Sequence, residues 1–263
     1  MLAPRSLPPE YVAWNRRWHA PNGRNIRVLG RMTGRSQPEM RWKHPRWTGP
    51  FGFQLNSGTR AFEYPWAYHA VPVETDMDVV EIGGSLSGFQ FALDNAGARV
   101  TNVDPGEAAS GVGWPVDAES LGRLNRAFGA HVELLNSTLQ DARLDDESAD
   151  VVYSISTIEH IPQAELPSLM HEVQRILRPG GALVLTVDLF LNLDPFTSAV
   201  ENQFGTNVSV HDLVRHSGLD LAVGNPRELF GFPEFDAEDI RARADEFLVG
   251  GYPVLAQCLV LRN

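Results

Sequence analysis

The sequence predicts an α/β chain: a doubly wound, mostly parallel sheet with helices on both faces, preceded by a helical or irregular lid. Three observations carry the prediction. Residues 77–82 form a short apolar strand signal, 83–88 a turn of small residues, and 89–96 an apolar helical pattern stopped by Gly97. A second apolar strand, 98–103, then ends on Asp104. Together they make one strand–helix–strand unit with a glycine-rich first turn and an acid about twenty residues on, a layout that binds a nucleotide.

The remaining elements follow in order. Asn136-Ser137-Thr138 comes after a third strand. Ser209 suits the N-cap of a helix over 210–217 that Gly218 stops. Residues 219–223 read as a strand and 236–247 as a helix. After a turn at Gly250-Gly251, 254–261 reads as a last, antiparallel strand.

Composition narrows the function. At 263 residues, one α/β domain with a sizeable core and an appendage is expected. A net charge of −11 argues against a nucleic-acid partner, which calls for a basic footprint. There is no apolar run of membrane-spanning length and no signal-peptide pattern, so a cytoplasmic protein is expected. The single cysteine, Cys258, sits in an apolar run and reads as a small buried hydrophobe. The chain divides into an N-terminal appendage, 1–75, rich in Trp, Arg and Pro, and a domain, 76–263, with a long acceptor-side insertion at 190–207.

The turn does not by itself fix the ligand, since Ser85 replaces the second glycine of G-x-G-x-x-G. Glu81 at the end of the first strand disfavours a pyrophosphate and favours a cationic nucleoside. At this point the chain resembles the class I (Rossmann-like) S-adenosylmethionine (SAM)-dependent methyltransferases. Glu81-Ile82-Gly83-Gly84-Ser85-Leu86-Ser87 matches E/D-x-G-x-G-x-G with two Gly→Ser departures. Asp104 matches the acid closing strand two. Residues 149–162 look like the family's fourth strand and the start of the next helix, with Glu159-His160. Residues 169–181 look like its helix and the Arg178-Pro179-Gly180-Gly181 turn before a fifth strand, in the right order and spacing. The resemblance implies a seven-stranded sheet and SAM as cofactor.

Within that resemblance, Gly83, Gly84 and Ser85 lie against the methionine part of SAM. Glu81 receives its ammonium, and Asp104 holds the ribose with Pro105 beside the adenine. Ser137 or Thr138 stands in for the usual adenine acid, or serves only as a helix cap. Ser154 and Ser156 end strand four near the ammonium. Arg60 is placed to meet the methionine carboxylate and Tyr64 to cover the sulfonium, the alternative being that both simply pack the appendage. His160 and Glu159 are the candidate catalytic residues, with His211 and Asp188 as further candidate bases. A metal-free mechanism is expected, because Ser154–Ser156 stand where a metal-dependent pattern wants an acid at the end of strand four, and Asp188-Leu189 where it wants an Asp-Asn pair.

The expected activity is methyl transfer to oxygen or nitrogen of a small molecule, of the kind met in secondary metabolism. No nucleic-acid or membrane partner is expected, and the oligomeric state is left open, a homodimer included. Residues 1–75 are expected to close over the site. Two alternatives stand beside this reading: an NAD(P)-dependent oxidoreductase, and a non-catalytic SAM-binding protein suggested by Ser85 and Ser87. The first is weakened because Lys43 is the only lysine, which leaves no Tyr-x-x-x-Lys dyad.

Overall fold

The computed structural model describes residues 1–25 and 36–263; residues 26–35 of the expected appendage lie outside the described residues. Seven strands make one sheet: β1 (Asp78–Ile82), β2 (Arg99–Val103), β3 (Glu133–Leu135), β4 (Ala149–Ile155), β5 (Leu177–Phe190), β6 (Asp220–Val223) and β7 (Val254–Arg262). Their order is β3-β2-β1-β4-β5-β7-β6. β7 runs antiparallel between β5 and β6, while β1–β5 pair in parallel, as the sequence predicts.

Strand alternation splits the core into two layers. Val79, Val151, Tyr153, Val184 and Cys258 face one side, where they join the appendage and the first domain helices. Val80, Ile82, Val152, Leu183, Leu185 and Leu259 face the other. In the description order, the helices are α1 (Pro9–Trp18), α2 (Gln37–Lys43), α3 (Pro45–Thr48), α4 (Arg60–Ala70), α5 (Phe89–Asn95) and α6 (Ala118–Phe128). α7 (Leu139–Ala142), α8 (Leu166–Ile176), α9 (Val210–Ser217) and α10 (Ala237–Ala242) follow. Ser209 caps α9 by accepting from the Asp212 amide, and Gly218 ends it in the left-handed conformation, both as expected.

Two expectations change. The helix expected over 236–247 stops at Ala242; Asp236 caps it, and a separate 3-10 turn occupies Ala244–Glu246. The Arg178–Gly181 turn is a bulge inside β5 rather than a break before it. Leu177 already pairs with Ala149, and the ladder resumes at Val151 with Ala182. Arg178 ties the bulge down through ion pairs to Asp78 (2.8 Å) and Asp150 (2.6 Å) at the feet of β1 and β4.

The appendage is built into the core. Phe51 packs edge-on against Trp14 (5.5 Å) and tilted on Tyr64 (5.0 Å), and its ring lies against Gly88 at the end of the glycine turn. α4 lies across β4, β5 and β7. Phe51→Ala removes the ring that joins all three parts and is expected to cost about 3–5 kcal/mol of stability. Urea denaturation followed by tryptophan fluorescence measures it; a loss below about 1 kcal/mol would separate the appendage from the core.

Candidate functional site

The carboxyl ends of β1 and β4, where the strand order reverses, open onto a cavity of about 420 Å³. In an open α/β sheet that crevice is where ligands bind. Gly83, Ser85, Asp104, Pro105, Thr138, Ser156, His160 and Arg60 all line it, so the structure brings together most of the sequence-predicted residues.

The turn after β1 is tight. Gly83 has φ +68°, and a Cβ there would fall 2.2 Å from the Thr157 methyl. Ser85 also has a positive φ (+44°), a strained choice for a residue with a side chain. Neighbouring side chains hold it there. Asn102 accepts from the Gly84 amide (3.2 Å) and donates to the Ser85 carbonyl (2.9 Å). Gln90 donates to the carbonyls of Ser85 (3.1 Å) and Ser87 (2.9 Å). Both are fully buried, and neither was singled out from sequence. Their signal was available: two amides among buried apolar positions need partners.

Asp104 is the central acid of the cavity. Its two oxygens accept from the amides of Ser85 (2.7 Å) and Gly106 (2.7 Å), so it clasps the turn to the following loop. A carboxylate has about four acceptor positions, which leaves capacity for a ligand's hydroxyls. Burial raises its pKa, while the two amides pull it back down.

Several expectations are corrected. Glu81 does not line the cavity. Strand alternation turns it to the buried face with Tyr153 and Asn102, where Ser87 donates to it at 3.0 Å and its other oxygen has no partner. Burial raises its pKa to about 8. Gly84 also faces away: a Cβ there would meet Asn102 and Glu81. Ser154 is fully buried with no hydrogen-bond partner, on the far layer of the sheet with Val152. Ser137 is outside the lining, whereas Thr138 lines it while also capping α7 through the Asp141 amide (3.2 Å). Tyr64 is buried between Phe51 and Phe89 and covers nothing in the cavity. Its hydroxyl donates to Asn56 (2.8 Å), which does line it.

Arg60 faces the cavity and anchors its floor. It pairs with Glu63 one turn along α4, donates to Ser156 Oγ (2.5 Å), and lies 3.9 Å from Asp188. His160 lines the cavity with its ring edge-on to Trp114 (4.7 Å). Its Nδ1 bonds the Phe204 carbonyl, which makes Nδ1 the donor and leaves Nε2 with a lone pair. Burial lowers its pKa and keeps the ring neutral at pH 7. Glu159 is not in the lining; it is buried behind His160, 3.9 Å from Nε2, with neither oxygen hydrogen-bonded. Burial, with Asp188 nearby, holds it protonated well above the usual carboxylate range. His211 packs on Phe232 (4.9 Å) and is not part of the cavity. Asp188 is buried beneath the lining and reached through Tyr252, whose hydroxyl donates to it at 3.0 Å. Sequence reasoning missed Tyr252, because a residue in the connection before β7 carries no periodic signal.

Residues 80–185 match the family model described as a methyltransferase domain. They are a methyltransferase domain. The chain is 28% identical over 108 residues to sterol 4-C-methyltransferase strm-1 of Caenorhabditis elegans, covering 40% of this chain and 29% of that protein's length. The chain thus spans under a third of that curated relative. In fold it is similar to a SAM-dependent methyltransferase from Mesorhizobium loti (TM-score 0.54, 14% identity, 76% of this chain and 97% of that one). It is also similar to the [4+2]-cyclase SpnF (TM-score 0.56, 12% identity, 92% and 97%). The methyltransferase domain spans β1 to the middle of β5, so Glu81, the glycine turn, Asp104, Ser156 and His160 all belong to it. The family match sets aside the oxidoreductase reading. Among the described residues no group of three or more His, Cys, Asp or Glu could hold a metal ion, and no helix is long and apolar enough to cross a membrane.

Glu81 also contributes to how stability depends on pH. Its folded pKa of about 8 lies above the ordinary 4.5, so the native state holds a proton that the unfolded chain loses. Its contribution is therefore complete below pH 4.5 and is lost as pH rises towards 8, at most about 1.4 kcal/mol per pH unit. Glu81→Gln should flatten that decline. Urea denaturation of the ligand-free protein at pH 5, 6 and 7 checks it, and equal slopes for both proteins would show that Glu81 is already ionised in the fold.

Proposed function

We propose that the chain binds SAM in this cavity and transfers its methyl group to oxygen or nitrogen of a small molecule. One observation carries the reading: Asp104 and Arg60 face the same cavity across the β1/β4 switch point of a methyltransferase domain. The residues fit the cofactor. Asp104 has acceptor capacity for a ribose diol, and Arg60 has a buried Nε without a partner and suits a carboxylate. Pro105, Thr138 and Leu139 flank the space beside Asp104 for an adenine. Glu81, held behind the turn, supports the loop instead of meeting an ammonium. A cavity of this size suits one ligand of a few hundred daltons with a small acceptor end beside it.

SAM supplies an electrophilic methyl on a positively charged sulfur. The chain's own residues orient the acceptor, exclude water and remove its proton. His160, its ring fixed by Phe204 and Trp114, offers the Nε2 lone pair as a hydrogen-bond acceptor that orients the acceptor group. The insertion brings Phe204 over the site, stacked at 4.4 Å on Tyr252. Residues 54–58 of the appendage, with Arg60, line the cavity, which supports a covering role for this segment. This mixed aromatic and polar lining supports a compact acceptor, which we read as one of the secondary-metabolic kind met in the cytoplasm.

Calorimetric titration is expected to show binding of SAM and S-adenosylhomocysteine and none of NADH. Asp104→Ala removes two charge-assisted contacts and the clasp on the turn, about 2–4 kcal/mol, and should weaken SAM binding about thirtyfold or more. An unchanged dissociation constant would place the ribose elsewhere.

A further inference from the structure

Behind the cavity floor lies a cluster of acids that exceeds its cations. Glu63 and Asp188 are fully buried and Glu159 is 1% exposed; Arg60 is the cation set among them. Facing the same cluster are Ser156, Thr186, His160, Tyr252 and the Cys258 thiol, which burial pushes up and keeps neutral. The hub is Ser156, which has a positive φ (+41°) and an amide held by the Thr186 carbonyl (2.8 Å). Its Oγ accepts from Arg60 and lies 2.9 Å from both Glu63 Oε1 and Asp188 Oδ1. One hydroxyl has one proton to give, so the two carboxyl groups compete for it. Glu159 has no partner for either oxygen. Burial raises the pKa of Glu63 and of Glu159, so this cluster can hold protons, and it reaches the cavity through Arg60, Ser156, His160 and Tyr252.

We propose that this carboxyl cluster is the proton sink of the methyl transfer, reached from the cavity through the Tyr252 hydroxyl. The proposal rests on the SAM reading above. A sulfonium donor carries one more positive charge than its thioether product, so its arrival favours loss of a proton from the cluster. In the transfer, the carbon–sulfur bond breaks with its electron pair left on sulfur, and the acceptor's oxygen or nitrogen bonds the methyl carbon. The acceptor's proton passes to Tyr252 Oη while the tyrosine's own proton moves to Asp188 Oδ2, along the existing 3.0 Å contact. The positive charge lost at sulfur reappears as a proton in the cluster.

Calorimetry at pH 7 in two buffers of different ionisation enthalpy tests this, with SAM and S-adenosylhomocysteine as probes. SAM is expected to release more protons than S-adenosylhomocysteine, the difference approaching about one per site. Equal release from the two, in the wild-type protein, overturns the proposal without the need for any variant. Asp188→Asn should at least halve the difference; an undiminished difference overturns it as well. Tyr252→Phe keeps every carboxyl group, so it should leave the difference in place. With the best acceptor from a panel of small phenols, alcohols and amines, it should lower kcat about a hundredfold at near-constant KM, and an unchanged kcat removes Tyr252 from the route. Failure of SAM to bind at all overturns the cofactor reading itself.

Discussion

The Arg60 guanidinium, buried against Glu63, Ser156 and Asp188, is the interaction on which the site depends. It joins three parts of the chain that sequence keeps far apart: α4 of the appendage, the end of β4, and the end of β5. A buried arginine is tolerated only when its charge is paired, and here the pairing also stitches the appendage to the cavity floor. Burial alone would lower its pKa, but Glu63 and Asp188 outweigh that and hold it firmly protonated. Glu63 shows the opposite balance, burial raising its pKa more than Arg60 lowers it. The fixed positive charge and the raised pKa of Glu63 are two sides of the same arrangement.

The glycine turn shows a second economy of buried polar groups. Serines at 85 and 87 replace glycines of the family pattern without filling the cavity. Ser85 stays in a left-handed conformation because Asn102 and Gln90 bind its carbonyl and Asp104 its amide. Ser87 turns inward and gives the buried Glu81 its one hydrogen bond. The two departures from the pattern are thus matched by partners elsewhere, so they do not in themselves argue for a site that has lost its ligand. The likeness to both a methyltransferase and a [4+2]-cyclase shows that this fold alone does not fix a reaction; the side chains around the cavity must.

Much of this was legible in the sequence, for identifiable reasons. The strand–turn–helix–strand unit, the cap at Ser209 and the antiparallel last strand rest on local periodicity and local stop signals, and the fold follows them. Asp104 was found because the end of β2 follows directly from that unit. Glu81 was misplaced because one residue along a strand reverses the face: it precedes Ile82, and the residue that reaches the cavity rim is Ile82. The same rule held unused information in β5, where Thr186 and Asp188 continue the face of Ala182 and Val184. Two polar residues on one face of an otherwise apolar buried strand announce a buried cluster. Its partners on α4 and before β7 could not be read, since they meet β5 only through tertiary packing.

The chemistry explains why that cluster lies beneath the lining rather than in it. An ionised carboxylate beside an electrophilic methyl would be a competing nucleophile. It would also bind the positive sulfur more tightly before transfer than after, lowering the ground state and raising the barrier. In this cavity the acids stand one layer back. Glu63 and Asp188 act through the Ser156 hydroxyl, Asp188 also through Tyr252, and Glu159 sits behind the His160 ring. The groups that line the cavity there are a guanidinium, two hydroxyls and a neutral imidazole. Negative charge is near enough to favour a sulfonium and to receive a proton, yet no carboxylate at this end of the cavity is free to take the methyl group.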